Sequence, residues 1–361
     1  MIDRLNVSRS LRLSAICVLA AAQLAAVAAC TASKSGGGNG SPTSPSGVQT
    51  VKIRASNVLT GTVVSGATVS GSGVTGGTTD SAGSLILTTM SASTFGIDIT
   101  SASYIPRSTL LKVPGNDAAV SLISNTLNLT AFNLMFRNAS TTDGLVDGGL
   151  QRWTSQPSLR IVKNVVQFTA TGTTYTATGE TLTDAEIQSI TSDLSYGLPL
   201  LTGGVFQSFS GISMQPVAAG EGVTLLAEGK ITFARCAGLT AARESAGYGQ
   251  WLFRTDNVVT GGMLCVDRDF ELSGSTVQLA VRLHELGHAL GYRHVLKDVL
   301  DRVLMNPTIL VTDVTPWDRD AAKIAFQRPT DNRTPDRDPS GFTTNSLVTH
   351  VMTVDGCRVR R

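Results

Sequence analysis

Between residues 48 and 125 the chain alternates. Val51-Lys52-Ile53-Arg54 sets apolar and polar side chains in turn, and short apolar runs follow at 61–64, 67–69, 84–87 and 97–99, separated by Gly, Ser and Asp. A period of two broken by turn residues predicts short strands, and their spacing predicts a β-sandwich. From about residue 126 a second period enters. Residues 131–137 and 184–194 carry helical spacing, with Ile187, Ile190 and Leu194 at i, i+3 and i+7. Thr183 ahead of Asp184 and Glu186 marks a helix start. Strands are predicted at 223–226, 230–235 and 263–266, and helices at 277–290 and 318–326. Interspersed strands and helices predict an α/β or α+β arrangement for 126–330. Past Pro329 the sequence turns polar and Pro-rich, so 331–361 reads as a loop or tail.

The first residues stand apart from this pattern. Arg4, Arg9 and Arg12 precede a nearly continuous apolar stretch that ends in Val27-Ala28-Ala29-Cys30. A basic start, an apolar run and small residues before a cysteine resemble the bacterial lipobox, which implies a signal peptide over 1–29 and lipidation of Cys30. The competing reading is a transmembrane anchor, but no basic stop-transfer patch follows. Residues 30–47, rich in Gly, Ser and Pro, read as a flexible tether. Lipidation would attach the protein to a bacterial cell envelope without spanning it. Thr31 after the cysteine, by likeness to lipoproteins generally, implies the outer membrane or cell surface.

Composition adds limits. Of 361 residues, 42% are hydrophobic and 16% charged, so at least one sizeable core can form. The net charge of +2 and the lack of a basic stripe give no reason to expect nucleic acid. Of the five cysteines, Cys17 leaves with the signal and Cys30 carries lipid, which leaves Cys236, Cys265 and Cys357. Cys236 and Cys265 fall in two neighbouring predicted strands and are the first candidates for a disulfide, with small buried thiols as the other reading. No CxxC pair supports a zinc finger.

The chemistry is concentrated at 284–294, which reads HELGHALGYRH and holds three of the four histidines. His284 and His288 are four apart, about one helical turn, so both imidazoles project from one face and can reach one metal. Glu285 stands where a general base beside that metal belongs. Gly291 allows the chain to turn sharply, so that His294 can return as a third ligand. Three protein ligands leave a coordination position open for water, which marks a catalytic site. The expected chemistry is peptide hydrolysis by a zinc-activated water with Glu285 as general base.

These residues resemble the metzincin zinc peptidases, whose signature HExxHxxGxxH is matched by His284, Glu285, His288, Gly291 and His294. Val303-Leu304-Met305-Asn306-Pro307 is similar to their Met-turn, and its short distance from His294 resembles the matrixin branch. Residues 315–326 are similar to the closing helix of bacterial matrixin-like peptidases. The resemblance implies an α+β catalytic domain with a mixed sheet over 126–330, one catalytic Zn2+, and Met305 as an apolar floor. It also implies a protein or peptide substrate bound in extended form along an edge strand, for which residues 258–268, just before the active helix, are the candidate. Residues 48–125 resemble the carboxypeptidase regulatory-like, transthyretin-like β-sandwich, through a "GATV" strand, a "TTDSAGS" turn and a later Tyr104 segment. That likeness implies a spacer or binding module.

Some family features are missing. No Tyr follows Met305 closely, no Pro-Arg-Cys-Gly latency motif is present, and no ligand set for a structural Ca2+ or a second zinc can be traced. Tyr292 is near in sequence without a readable direction. His350 in the tail, Trp153 and the Asp267/Asp269 pair read as structural, packing and solvated-turn residues. The expected function is therefore a zinc-dependent endopeptidase of extracellular proteins. The alternative is a surface adhesin or binding lipoprotein that retains a zinc site, and an intact Glu285 argues against it.

Overall fold

The computed structural model describes residues 47–90, 93–113, 115, 117–141, 144–168, 174–341, 349–353 and 357–359. The expected signal sequence, the lipobox-like segment with Cys30 and nearly all of the expected tether lie outside them.

The alternating N-terminal pattern forms β1 (Gln49–Asn57), β2 (Thr68–Gly71), β3 (Gly77–Thr78), β4 (Ser84–Thr89), β5 (Ser93–Ser101), β6 (Tyr104–Val113) and β7 (Ala118–Leu122). They make a three-stranded sheet in the order β4-β1-β7 and a four-stranded sheet in the order β3-β2-β5-β6. Every second residue of β1 is buried, and Val51, Ile53 and Ala55 pack with Val69, Leu87, Ile97, Ile99 and Val120 in one core. Residues 61–64, expected as a strand, contribute only an isolated bridge from Val63 to Ser56.

The chain continues through α1 (Leu129–Phe136), a hairpin of β8 (Asn138–Thr141) and β9 (Gly144–Asp147), then β10 (Arg152–Trp153), β11 (Ser158–Val162), β12 (Asn164–Gln167) and β13 (Thr174–Thr181). The long helix α2 (Asp184–Leu200) opens on a capping box in which Thr183 accepts from the Glu186 N–H and Glu186 returns to the Thr183 N–H. After it come β14 (Ile212–Gln215), β15 (Gly222–Thr224), β16 (Lys230–Ala237), α3 (Leu239–Arg243), β17 (Gly247–Arg254), β18 (Val258–Asp267), α4 (Arg268–Leu272) and α5 (Gln278–Ala289). The chain closes with β19 (Thr308–Ile309), α6 (Pro316–Phe326), β20 (Thr349–Thr353) and β21 (Arg358–Val359).

The α+β fold class, with its metzincin-like catalytic domain, is corrected by this architecture. The described chain is mostly β, spread over several sheets, with strand well in excess of helix. The physical reason lies in the Ser- and Thr-rich segments of 138–181 and 212–224. At 138–147, 174–181 and 212–215 they contain too few apolar residues to announce strands, yet they pair as β8, β9, β13 and β14. The β-branched Thr and Val among them suit a pleated surface.

The largest sheet runs β15-β13-β12-β16-β18-β17-β20, with β10, β11 and β14 attached off this path. β16 and β18 are parallel, while β17 is antiparallel to β18. Within the sheet Cys236 of β16 is joined to Cys265 of β18 by a disulfide, with Cα atoms 5.7 Å apart. The edge expected at 258–268 is corrected as well, because β18 lies inside the sheet between β16 and β17, and the outer neighbour of β17 is β20. Asp267 ends β18 as a buried cap of α4, accepting from the Asp269 and Phe270 N–H groups, while Asp269 is exposed and pairs with Arg268.

The start of the presumed polar tail is packed. Asp336, fully buried, takes two bonds of 2.8 Å from Arg328 and lies 3.7 Å from Arg137 and from Arg107 of β6. Asp338 takes 2.8 Å and 2.7 Å bonds from Arg107 and Thr109. Arg328 also donates to Ser121 at the end of β7. Buried charges persist only when paired and bonded in this way.

Candidate metal centre

The helix that carries His284 and His288 is itself fixed by packing and ion pairs. α5 is buried on all sides from Ala280 to Ala289, and its polar face is held by Arg282. That guanidinium bonds Glu271 at 2.9 and 2.7 Å and Asp193 of α2 at 2.5 Å. Glu271, also buried, is shared with Arg235 of β16 at 3.4 Å. Four elements are thereby tied to one rotation of the helix. Close approach of α5 to the sheet depends on glycine. A Cβ on Gly249 of β17 would sit 2.3 Å from His288 Cβ, and one on Gly247 would sit 2.3 Å from Glu285 Oε1. On β18, a Cβ at Gly262 would meet the Ala289 carbonyl at 2.3 Å.

The helix ends in a Schellman motif. The Tyr292 N–H donates to Gly287 O and the Gly291 N–H to His288 O, both at 2.9 Å, and Gly291 has φ +101°. The chain reverses there, and His294 returns to the two helical imidazoles. His294 Nε2 lies 3.1 Å from His284 Nε2 and 3.2 Å from His288 Nε2. His284 Nδ1 lies 2.7 Å from Leu304 O, and His288 Nδ1 lies 2.7 Å from Tyr292 O. A carbonyl can only accept, so each Nδ1 carries the proton and each Nε2 presents a bare lone pair. Burial lowers all three imidazoles, His284 to about 4, His294 to about 3 and His288 well below its ordinary value, so they are neutral.

The bare Nε2 atoms of His284 and His288 converge on His294 Nε2, a spacing that a shared proton or a cation between the rings satisfies. Tetrahedral ligands at about 2.0–2.1 Å from one ion are about 3.4 Å apart, close to the separations found. The donor set therefore fits a first-row dication held by His284, His288 and His294.

Glu285 is fully buried beside the triad, and neither carboxylate oxygen has a full hydrogen bond. Burial raises it to about 8, opposed in part by the approach of the Cys357 thiol and N–H. A carboxylate oxygen of Glu285, a ring nitrogen of His284 and the Cys357 Sγ all lie within 4.8 Å of one another. Burial pushes the Cys357 thiol far up.

Met305 is fully buried under this arrangement. Its Sδ would be only 2.6 Å from a Cβ at Gly287, the helix residue between the two ligands. The turn around it is held by Asn306, whose Nδ2 donates to Val295 O and Leu300 O at 2.9 Å, and by Asp318, which accepts from the Leu304 N–H at 3.0 Å. Tyr292 is buried against Phe136 and its hydroxyl donates to Leu201 O, so it is no oxyanion donor. Trp153 is buried with its Nε1 donating to Ala289 O at 3.1 Å. His350 sits on β20 opposite Phe253. The sequence reading missed two features, the glycines of β17 and the placement of Cys357. Glycines alternating in "GYG" just before a strand core were a readable sign of close approach, whereas nothing local distinguishes Cys357.

No family model matches the chain, and no curated protein matches it. Among solved structures it is similar to a type II cohesin–X-dockerin complex of Acetivibrio cellulolyticus, a C-terminal interface mutant. That likeness has 19% identity, covers 27% of this chain and 86% of that one, and has a TM-score of 0.17. A likeness of that extent carries no conclusion about fold or function. Among the described residues no helix is long and apolar enough to cross a membrane.

Proposed function

We propose that the protein is a zinc-dependent endopeptidase acting on extended segments of extracellular proteins, with a site of metzincin type. The observation that carries this reading is the convergence of three Nε2 atoms, those of His284 and His288 bare, beside a buried carboxylate with no full hydrogen bond among the described residues. A zinc ion held by these nitrogens supplies Lewis acidity toward a substrate carbonyl and a water, and its charge favours ionised Glu285. Glu285 takes the proton of the attacking water on a carboxylate oxygen and delivers it to the departing amine nitrogen. The hydrogen bonds from His284 to Leu304 and from His288 to Tyr292 fix the ring orientations that this requires. Met305 and Gly287 close the site from below and keep water out on that side. The lipobox likeness at Cys30 supports action from a lipid anchor at the bacterial cell envelope.

The test is metal content together with cleavage of casein. About one zinc per chain is expected, lost in His284→Ala and His288→Ala, and any cleavage should vanish in Glu285→Ala while zinc stays bound. A protein that takes up no zinc, or cleavage that survives Glu285→Ala, would overturn the reading.

A further inference from the structure

Part of the chain described after residue 341 lies at the site. β20 adds to the free edge of β17 in antiparallel fashion, with Gln250 opposite Thr353 and Arg254 opposite Thr349. The same register carried toward the start of β17 places Ala246 opposite Cys357. A bond is found there, with the Ala246 N–H donating to Cys357 O at 2.9 Å. Ser245 Oγ donates to the same carbonyl at 2.5 Å. Past Cys357 the chain changes partner. β21 runs parallel to β19, and the Arg358 N–H donates to Pro307 O at 2.8 Å, two residues after Met305. At the crossing between the two strands the Cys357 side chain, fully buried, faces the Glu285 carboxylate.

An extended peptide that reached Glu285 would use these same backbone groups, since among the described strands β17 is the edge of the sheet on that side once β20 is lifted. We propose that the C-terminal segment of this chain, Thr349–Thr353 with Cys357–Val359, occupies the substrate track and holds the site closed until it is displaced. This rests on the peptidase reading of the site. The far end of the segment is tied lightly. Arg358 is exposed and 3.9 Å from the exposed Glu244, and among the described residues this is the ion pair that ties the segment. An open cleft bounded by Ser245, Ala246, Phe270, Arg358 and Val359 lies alongside, giving the end of the segment room to leave.

The experiment uses the full chain with zinc and follows two readouts. One is iodoacetamide labelling of the peptide carrying Cys357, and the other is casein cleavage. Adjacent strand residues point their N–H groups to opposite sides, so one of Val351→Pro and Met352→Pro must remove a bond to β17. That variant should label Cys357 about tenfold faster or more than the parent and gain cleavage by a similar factor. Labelling of Cys357 in the parent as fast as in both Pro variants would overturn the proposal. So would measurable parent cleavage equal to theirs, which would leave the peptidase reading intact. Fast labelling with zinc retained but no cleavage in any opened variant would overturn the peptidase reading and leave the seating of the segment standing.

Discussion

Gly249→Ala tests whether a missing side chain is what positions the ligands. An ideal Cβ at Gly249 lies 2.3 Å from His288 Cβ, 3.1 Å from His288 Cγ and 3.2 Å from Glu285 Oε2. Carbon atoms in contact need about 3.5–4.0 Å, so strand and helix must separate by roughly 1.2 Å or more. The helix cannot yield freely, because Arg282 ties it to Glu271 and Asp193. Overpacking of this kind costs about 1–3 kcal/mol, and the strand preference of Ala over Gly returns about 0.5–1 kcal/mol. A net loss of about 1–2 kcal/mol in the metal-free protein is expected. The metal is affected more. His284 and His288 ride on α5, whereas His294 lies beyond Gly291 on the returning chain, so a shift of the helix divides the ligand set. Coordination tolerates about 0.2 Å, and zinc affinity should fall by about 10- to 100-fold or more. A chelator competition titration and thermal unfolding of the metal-free protein measure the two effects. Gly179→Ala is the control, since nothing lies within 4 Å of its added Cβ. Zinc affinity within about twofold of the parent, with unfolding changed by under about 0.5 kcal/mol, would refute the reasoning.

Other outcomes follow from the same geometry. In the metal-free protein burial keeps His284 near 4 and His294 near 3, with His288 also lowered, against an ordinary value of 6.5. The unfolded chain therefore binds more protons in that window. Stability is intact above about pH 6.5 and is lost as pH falls toward 4. Glu285, raised to about 8, works in the opposite sense with one proton against three. A melting temperature that stays flat from pH 7 to 4.5 in the metal-free protein would contradict this. For Glu186, burial disfavours ionisation, but bonds from the Thr183 N–H and from Arg235 outweigh it and lower the group to about 2. Its stabilisation is present above about pH 4.5 and lost as pH falls through 2. Glu186→Gln should thus destabilise by about 1 kcal/mol at pH 7, with a gap that closes on acidification, as denaturant titrations at several pH values would show. Met305→Ala should cost about 2–5 kcal/mol from the cavity it leaves and reduce zinc affinity, whereas Met305→Leu should keep most of both by the same titrations.

Much of the candidate site's geometry was readable because it is local. His284, Glu285 and His288 share one turn, and Gly291 falls where a Schellman motif needs a left-handed residue, so period and residue type suffice. The same holds for the capping box at Thr183 and for α6, whose Thr315 accepts from the Asp318 N–H. What was not readable is set by distant pairing. Both β17 and β18 are apolar and buried, so composition gives no sign of which one is outermost. That depends on β20, about a hundred residues later in the chain. Cys357 has the same standing, since its carbonyl is bonded by Ser245 and Ala246 far upstream. The fold class was misread for a different reason. Strands such as β13, with the sequence TYTATGET, have too little apolar contrast to register, and the helical motifs drew the weight.

The buried cluster around Asp336 has a consequence for the descent of such proteins. A module that hangs on a linker can be exchanged between genes without repair. The N-terminal sandwich is not of that kind, because Arg107 and Ser121 from its strands share partners with Arg328 and Asp336 of the following part. Lys323 likewise donates to Leu59 O at 2.7 Å. Excision would leave Asp338 without its arginine and would bare the apolar surface around Ile123. Recombination at this seam would carry a stability penalty on both fragments, so the two parts are bound to be inherited as a single unit.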